Sequence, residues 1–146
     1  MKSFSTFICL LVFSTQLYSQ ELKNEAVIGK WRVVDCQIIP EVLPKFNNEQ
    51  KKDLEQMRLS FAESIFNLEK NGQFTLRFNN RYSKFMKDLE ISNNAYWKIV
   101  KGKSIVVGNK EDHYSQLEIN IMTKNEKKYF YISEAFFILE VIHEKN

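Results

Sequence analysis

Cysteine is nearly missing from this 146-residue chain. Only Cys9 and Cys36 occur, histidine is limited to His113 and His143, proline to Pro40 and Pro44, and glycine to four positions. Each scarcity excludes something. Cys9 lies inside the apolar run at the N-terminus, so Cys36 is left without a partner, no disulfide framework can be drawn, and stability has to come from packing. Two isolated histidines match none of the zinc spacings, and Asp112, His113 and His143 would meet as a cluster only if the fold brought them together. No Gly-x-Ser-x-Gly elbow, His-Glu-x-x-His helix or Gly-rich phosphate loop is present. No catalytic residue, metal ligand or cofactor is assigned, and the expectation is a protein that is not an enzyme.

An excess of one charge is also lacking. Lys and Arg number 21 against 18 Asp and Glu, a formal charge of +3, and the signs are interspersed, as in Lys51-Lys52-Asp53 and Glu126-Lys127-Lys128. Nucleic-acid binders concentrate Lys and Arg on one face, so no nucleic-acid partner is expected. Long apolar runs are missing too. The stretch Phe7 to Phe13 falls far short of the roughly 20 residues that cross a bilayer. With Lys2 before it and Ser14-Thr15-Gln16 after it, it has the layout of a secretion signal. The expected organisation is a signal peptide over 1–19, cleaved after Ser19, and one domain over 20–146. The product would be exported, periplasmic or secreted, with no membrane span. Cys9 has no lipobox before it, so lipid anchoring is not expected.

What is there is strand-like. Ile28 to Ile39 is rich in β-branched and aromatic residues and stops at Pro40, with Pro44 reinforcing the break. Asn47 to about Glu63 carries Leu54, Met57 and Phe61 at intervals of three and four on a polar surface, with Asn47 and Gln50 spaced as a capping box, which predicts an amphipathic helix. Ser64 to Lys70 and Gln73 to Phe78 flank Asn71-Gly72, a strong hairpin signal because both residues tolerate positive φ. Ala95 to Val100 and Ser104 to Val107 surround Gly102, Tyr114 to Thr123 precedes Tyr129 to Ser133, and Ala135 to His143 ends the series. Asn79 to Asn94 reads as a mouth loop or short helix. Cys36, within the first strand and away from any histidine, reads as a small buried hydrophobe rather than a reactive thiol.

Eight short strands with tight turns favour a sheet that closes on itself. Gly29-x-Trp31 on the first strand, a helix before the second, Leu68-Glu69-Lys70-Asn71-Gly72-Gln73-Phe74 at the next hairpin and the Tyr96-Trp97-Lys98 strand together resemble the small secreted lipocalin-like domains of bacteria, a calycin-type barrel. The resemblance covers the whole of 20–146. It implies a mainly β, eight-stranded antiparallel up-and-down barrel with one amphipathic helix between the first and second strands. The competing architecture is an α+β open curved sheet with a packed helix, as in cystatin-like or NTF2-like domains. Pairing of the Trp31 strand with the Phe137 strand decides between them.

The sequence departs from the wider superfamily in its arginines. None occurs after Arg81, so the C-terminal arginine that packs over the first-strand tryptophan in many lipocalins is missing, as is the Arg-x-Tyr pair with which fatty-acid-binding proteins hold a carboxylate. Lys145 is the candidate cover for Trp31, by its alkyl stem and a cation–π contact. The barrel's inner face would draw on Phe66, Leu68, Phe74, Leu76, Phe78, Trp97, Ile99, Leu117, Ile119 and Phe137, with Tyr129 or Tyr131 as a polar handle. An apolar lining with few polar groups suits a small hydrophobic ligand such as a lipid, isoprenoid or aromatic molecule. The other reading is that these side chains fill the barrel, and that the helix or the 79–94 loop meets a protein partner, as an interaction or inhibitor module.

Overall fold

A computed structural model describes residues 21–78, 90–91 and 94–145. The signal-peptide assignment over 1–19 and most of the loop expected at Asn79 to Asn94 fall outside these residues. A short helix α1 (Asn24–Val27) leads into β1 (Gly29–Ile38); a 3₁₀ segment (Pro40–Lys45) and helix α2 (Asn48–Phe61) follow. Then come β2 (Ile65–Leu68), β3 (Phe74–Arg77), β4 (Tyr96–Val100), β5 (Ser104–Gly108), β6 (Leu117–Lys124), β7 (Lys127–Ile132) and β8 (Phe137–Glu144). All eight expected strands are present, with ends shifted by a few residues. Helix α1 and the 3₁₀ segment were unforeseen; Pro40 and Pro44, read as a break, lie inside the latter.

All the strands pair antiparallel in the order β3-β2-β1-β8-β7-β6-β5-β4. The first strand meets the last along most of its length, from Lys30 opposite Glu144 to Ile38 opposite Phe137. That pairing excludes the open-sheet alternative. At the remaining seam, two bridges join Gln73 to Tyr96 and Leu76 to Ile91, and the Trp97 N–H donates to the Gly72 carbonyl at 2.8 Å. The sheet comes nearly full circle as an up-and-down barrel, which leaves few edge groups unpaired.

Register follows from alternation. Trp31 and Val33 point inward, the ladder shifts between Val33 and Asp35, and Cys36 then resumes the inward face. A bulge adds one residue to one strand; here it leaves Val34 exposed and lets a ten-residue strand bend around the core. The turns carry their own signatures. Asn125 and Glu126 both have positive φ, the condition for the two-residue hairpin between Lys124 and Lys127, as do Lys101 and Gly102 within the three-residue loop between Val100 and Ser104. At Asn71-Gly72 only the glycine does, with φ +89. Its N–H donates to the Glu69 carbonyl and Glu69 N–H to the Gln73 carbonyl, so the loop is one residue longer than the dipeptide suggested.

Helix α2 is fixed at both ends. Asn47 Oδ1 accepts from the Gln50 N–H and Gln50 Oε1 from the Asn47 N–H, each at 2.9 Å, forming the expected capping box. Near the other end, Arg58 pairs with Glu55 and donates to the Cys36 carbonyl at 3.3 Å, tying the helix to β1. Leu54 and Phe61 are buried beneath it. By connectivity the β2–β3, β4–β5 and β6–β7 hairpins and both termini of the barrel share one end, called the base. Helix α2 and the β5–β6 and β7–β8 turns share the other, the mouth.

Candidate functional site

Side chains close the base. Trp31 is 4% exposed, and its indole Nε1–H donates to the Val27 carbonyl at the end of α1, at 2.8 Å. Its ring lies tilted against Phe130 at 5.8 Å and edge-on to His143 at 4.7 Å. The cover for Trp31 at this end is therefore His143 from β8, not Lys145. His143 Nε2 also lies 3.2 Å from the Ile28 carbonyl. Gly29 makes the approach possible: at φ +130, a Cβ there would stand 2.1 Å from that nitrogen. The Gly-x-Trp pair and His143 form one seal. His143 thus sits at the base while Asp112 and His113 sit on the β5–β6 turn at the mouth, so the fold separates His143 from the other two.

Above the seal, phenylalanine rings pack against one another. Phe66 meets Phe130 at 5.4 Å, Phe74 at 6.3 Å and Phe61 at 6.5 Å. Of the lining expected from sequence, Phe66, Leu68, Phe74, Ile119 and Phe137 are buried in this filling, and Ile99 packs against it half-buried. Trp97 is buried at the β3–β4 seam, its Nε1–H donating to the Glu69 carbonyl at 2.9 Å. Tyr129 and Tyr131 do not point inward. They pair with Glu140 and Ile138 on the outer face, while Phe130 and Ile132 take the inner one opposite Leu139 and Phe137. Neither tyrosine is a polar handle for the interior.

Trp97 borders a separate groove on the flank of the barrel, while Leu76, Phe78 and Leu117 are the expected residues that border apolar open space. With Ile91, and with Ile132 and Ala135 across the opening, they surround an apolar pocket of about 280 Å³ at the mouth. Met57 and Phe61 of α2 roof it, and Gln116 and Glu134 stand at its polar rim. Phe61 is the partition between pocket and filling: it packs edge-on to Phe78 at 5.1 Å and against Phe137 at 5.2 Å. The three-and-four spacing of Leu54, Met57 and Phe61 marked a packing face; that this face would roof a pocket depends on where the helix lands. Ile132 had no clear signal, because β7 is aromatic or apolar on both faces.

Two further buried groups lie outside the pocket lining. The Ser64 side chain, on the inward alternation with Phe66 and Leu68, is fully buried, and its Oγ is the buried side-chain polar atom without a hydrogen-bond partner among the described residues. Leaving such a hydroxyl unsatisfied costs about 1–3 kcal/mol. Cys36 is buried, and that burial pushes its thiol up to about 12, against the opposing pull of Arg58. It is held as a neutral thiol, as expected of an inert core cysteine.

Comparison with protein-family models, with curated proteins and with solved structures found no match.

Proposed function

We propose that this chain is an exported, non-enzymatic barrel protein that binds a small hydrophobic molecule in the apolar pocket at its mouth. The observation that carries the reading is the space of about 280 Å³ between α2 and the strand ends, roofed by Met57 and Phe61. At the ~30 Å³ that a water occupies in the liquid, it takes on the order of ten non-hydrogen atoms. The ligand is compact: a monoterpenoid or indole fits this volume, whereas a long acyl chain does not. Export rests on the apolar run Phe7 to Phe13 behind Lys2.

Titration of the ¹⁵N-labelled folded protein with geraniol and with indole tests the reading. Binding should move the amide signals of Met57, Phe61, Ile91 and Ala135 while leaving Trp31 in place. Ala135→Phe, which fills the pocket from the β7–β8 turn, should abolish the effect without unfolding the protein. Silence at all four positions with both probes would sink it.

The filling beneath Phe61 favours a second reading, a secreted interaction or inhibitor module that presents α2 to another protein. On that reading Ala135→Phe leaves function intact and substitutions on the exposed face of α2, such as Lys52→Glu, remove it.

A further inference from the structure

A second and larger groove, of about 740 Å³, lies on the flank of the barrel. Its walls are the β2–β3 hairpin at Asn71 and Gly72, the start of β4 at Tyr96, and the turn that follows β5 at Asn109 and Tyr114. It shares no lining residue with the apolar pocket. Its chemistry differs as well. Three asparagines, Asn71, Asn94 and Asn109, and two tyrosines, Tyr96 and Tyr114, are among its lining residues, with Trp97.

The turn that bears Tyr114 is held under strain. His113 and Tyr114 are consecutive non-glycine residues with φ of +56 and +59, a conformation that is uncommon for bulky side chains and persists only where surroundings enforce it. The enforcing group is Asp112. Its Oδ1 accepts from the Asn109 N–H at 3.0 Å and the Ser115 N–H at 3.3 Å, and its Oδ2 accepts from Gln116 Nε2 at 2.9 Å. Gly108 lets this turn fold back onto β5, since a Cβ there would lie 2.6 Å from Asp112 Oδ1 and 2.7 Å from Tyr114 Cα. Lys98 then holds the Tyr114 ring, its ammonium 4.2 Å from the ring centre. Tyr96, paired with Gly108 on β5, is 40% exposed on the outer face of β4 and also lines the groove. The Tyr114 platform is thus fixed before any ligand arrives, and the Tyr96 ring stands open beside it.

The charges in the groove cancel, because Lys110 and Glu111 both line it. A phosphate or carboxylate ligand would want an excess of cations. A hydroxyl-rich ring wants donors and acceptors side by side, and an asparagine amide offers two of each; Asn109 spends one acceptor on the Asp112 N–H, at 2.7 Å, and keeps the remaining capacity. The C–H face of such a ring carries slight positive charge and suits the negative face of an aromatic ring. At ~30 Å³ for each water-sized atom, about 740 Å³ holds roughly two dozen non-hydrogen atoms, the size of a disaccharide. We propose that this flank groove binds a neutral saccharide, with ring faces laid on Tyr96 and Tyr114 and hydroxyls paired with the amides of Asn94 and Asn109.

The test is a titration of the ¹⁵N-labelled protein with maltose, cellobiose, lactose and N,N′-diacetylchitobiose, with glucose 6-phosphate as the charged control. At least one disaccharide should move the amide signals of Trp97, Asn109 and Tyr114 with a Kd of about 1 mM, leaving Met57 and Ala135 still. Tyr96→Ala, which leaves the strained turn untouched, should weaken binding at least about tenfold. Tyr114→Leu should do the same, with an unfolding midpoint near wild type confirming that the turn survives. The proposal fails if no disaccharide moves those signals at about 10 mM, if glucose 6-phosphate binds more tightly than all four, or if both variants bind as wild type does.

Discussion

At the base of the barrel, Trp31 is engaged by a backbone carbonyl, by Phe130 and by the edge of His143, and Gly29 gives up its side chain to let that histidine in. At the mouth, Phe61 is just as buried and packs on three other phenylalanines, but the space beyond it is open and apolar. Both ends are aromatic. The difference is that the base is locked through the backbone, by a hydrogen bond and a glycine with positive φ, whereas Phe61, between the pocket and the filling, meets its neighbours through its ring. A seal made by the backbone cannot yield to a ligand without unfolding; a contact made by side chains can. The same barrel therefore has one end closed through the backbone and one that leaves apolar space.

Truncation gives the largest effect that would break this contrast. Trp31→Ala removes a buried indole and its hydrogen bond and should cost about 4 kcal/mol, read as a fall in the urea midpoint. Met57→Ala, at the half-buried roof of a pocket already open, should cost only about 1 kcal/mol and enlarge the pocket. Equal losses would erase the distinction between the ends. Gly29→Ala comes next, at about 3 kcal/mol, because the new methyl meets His143 and the residue keeps a conformation that alanine resists. In a His143→Ala background the collision disappears and only the backbone strain is left, so the same substitution should cost less; a double-mutant cycle measures the gap.

A pH effect sharpens the comparison from the wall between the two ends. The folded-state pKa of Cys36 is raised by burial from 9.0 to about 12, so the unfolded chain gives up its proton first. The stabilisation is whole below about pH 9 and is lost as pH rises towards 12, at up to about 1.4 kcal/mol for each pH unit. Other alkaline groups titrate in the same range. The difference between wild type and Cys36→Ala isolates the thiol: wild type should lose stability more steeply between pH 9 and 11. Parallel curves would mean that the thiol reaches solvent.

Most of the architecture is legible in the sequence because it is local. Alternation marks Phe66 and Leu68 against Phe74 and Leu76, the Asn47 and Gln50 spacing marks the start of α2, and Pro40 marks the end of β1. What is not legible depends on distant chain. His143 lies 112 residues from Trp31, and only the β1–β8 register brings the two together. The outward turn of Tyr129 and Tyr131 has the same origin, since β7 offers apolar side chains to both faces and β8 chooses between them. The 3.6-residue period finds the packing face of α2, but the pocket exists because Phe61 stops at Phe78 and Phe137 rather than sinking further. Helix α1, four residues long with no side-chain cap, has no pattern to find.

The smallest effect tests the boundary between the packed interior and the open mouth. Ser64 begins the inward row of β2, directly after the helix that roofs the pocket, and its hydroxyl is buried without a partner. Removing an unsatisfied hydroxyl from a packed site relieves a desolvation penalty, so Ser64→Ala should raise stability by up to about 1 kcal/mol, where most core substitutions lower it. Thermal unfolding of the unliganded variant checks the sign. A gain places Ser64 within the dry filling, on the side of Trp31. A loss would mean that the hydroxyl finds a hydrogen bond in solution, and that the wet end of the barrel reaches below Phe61.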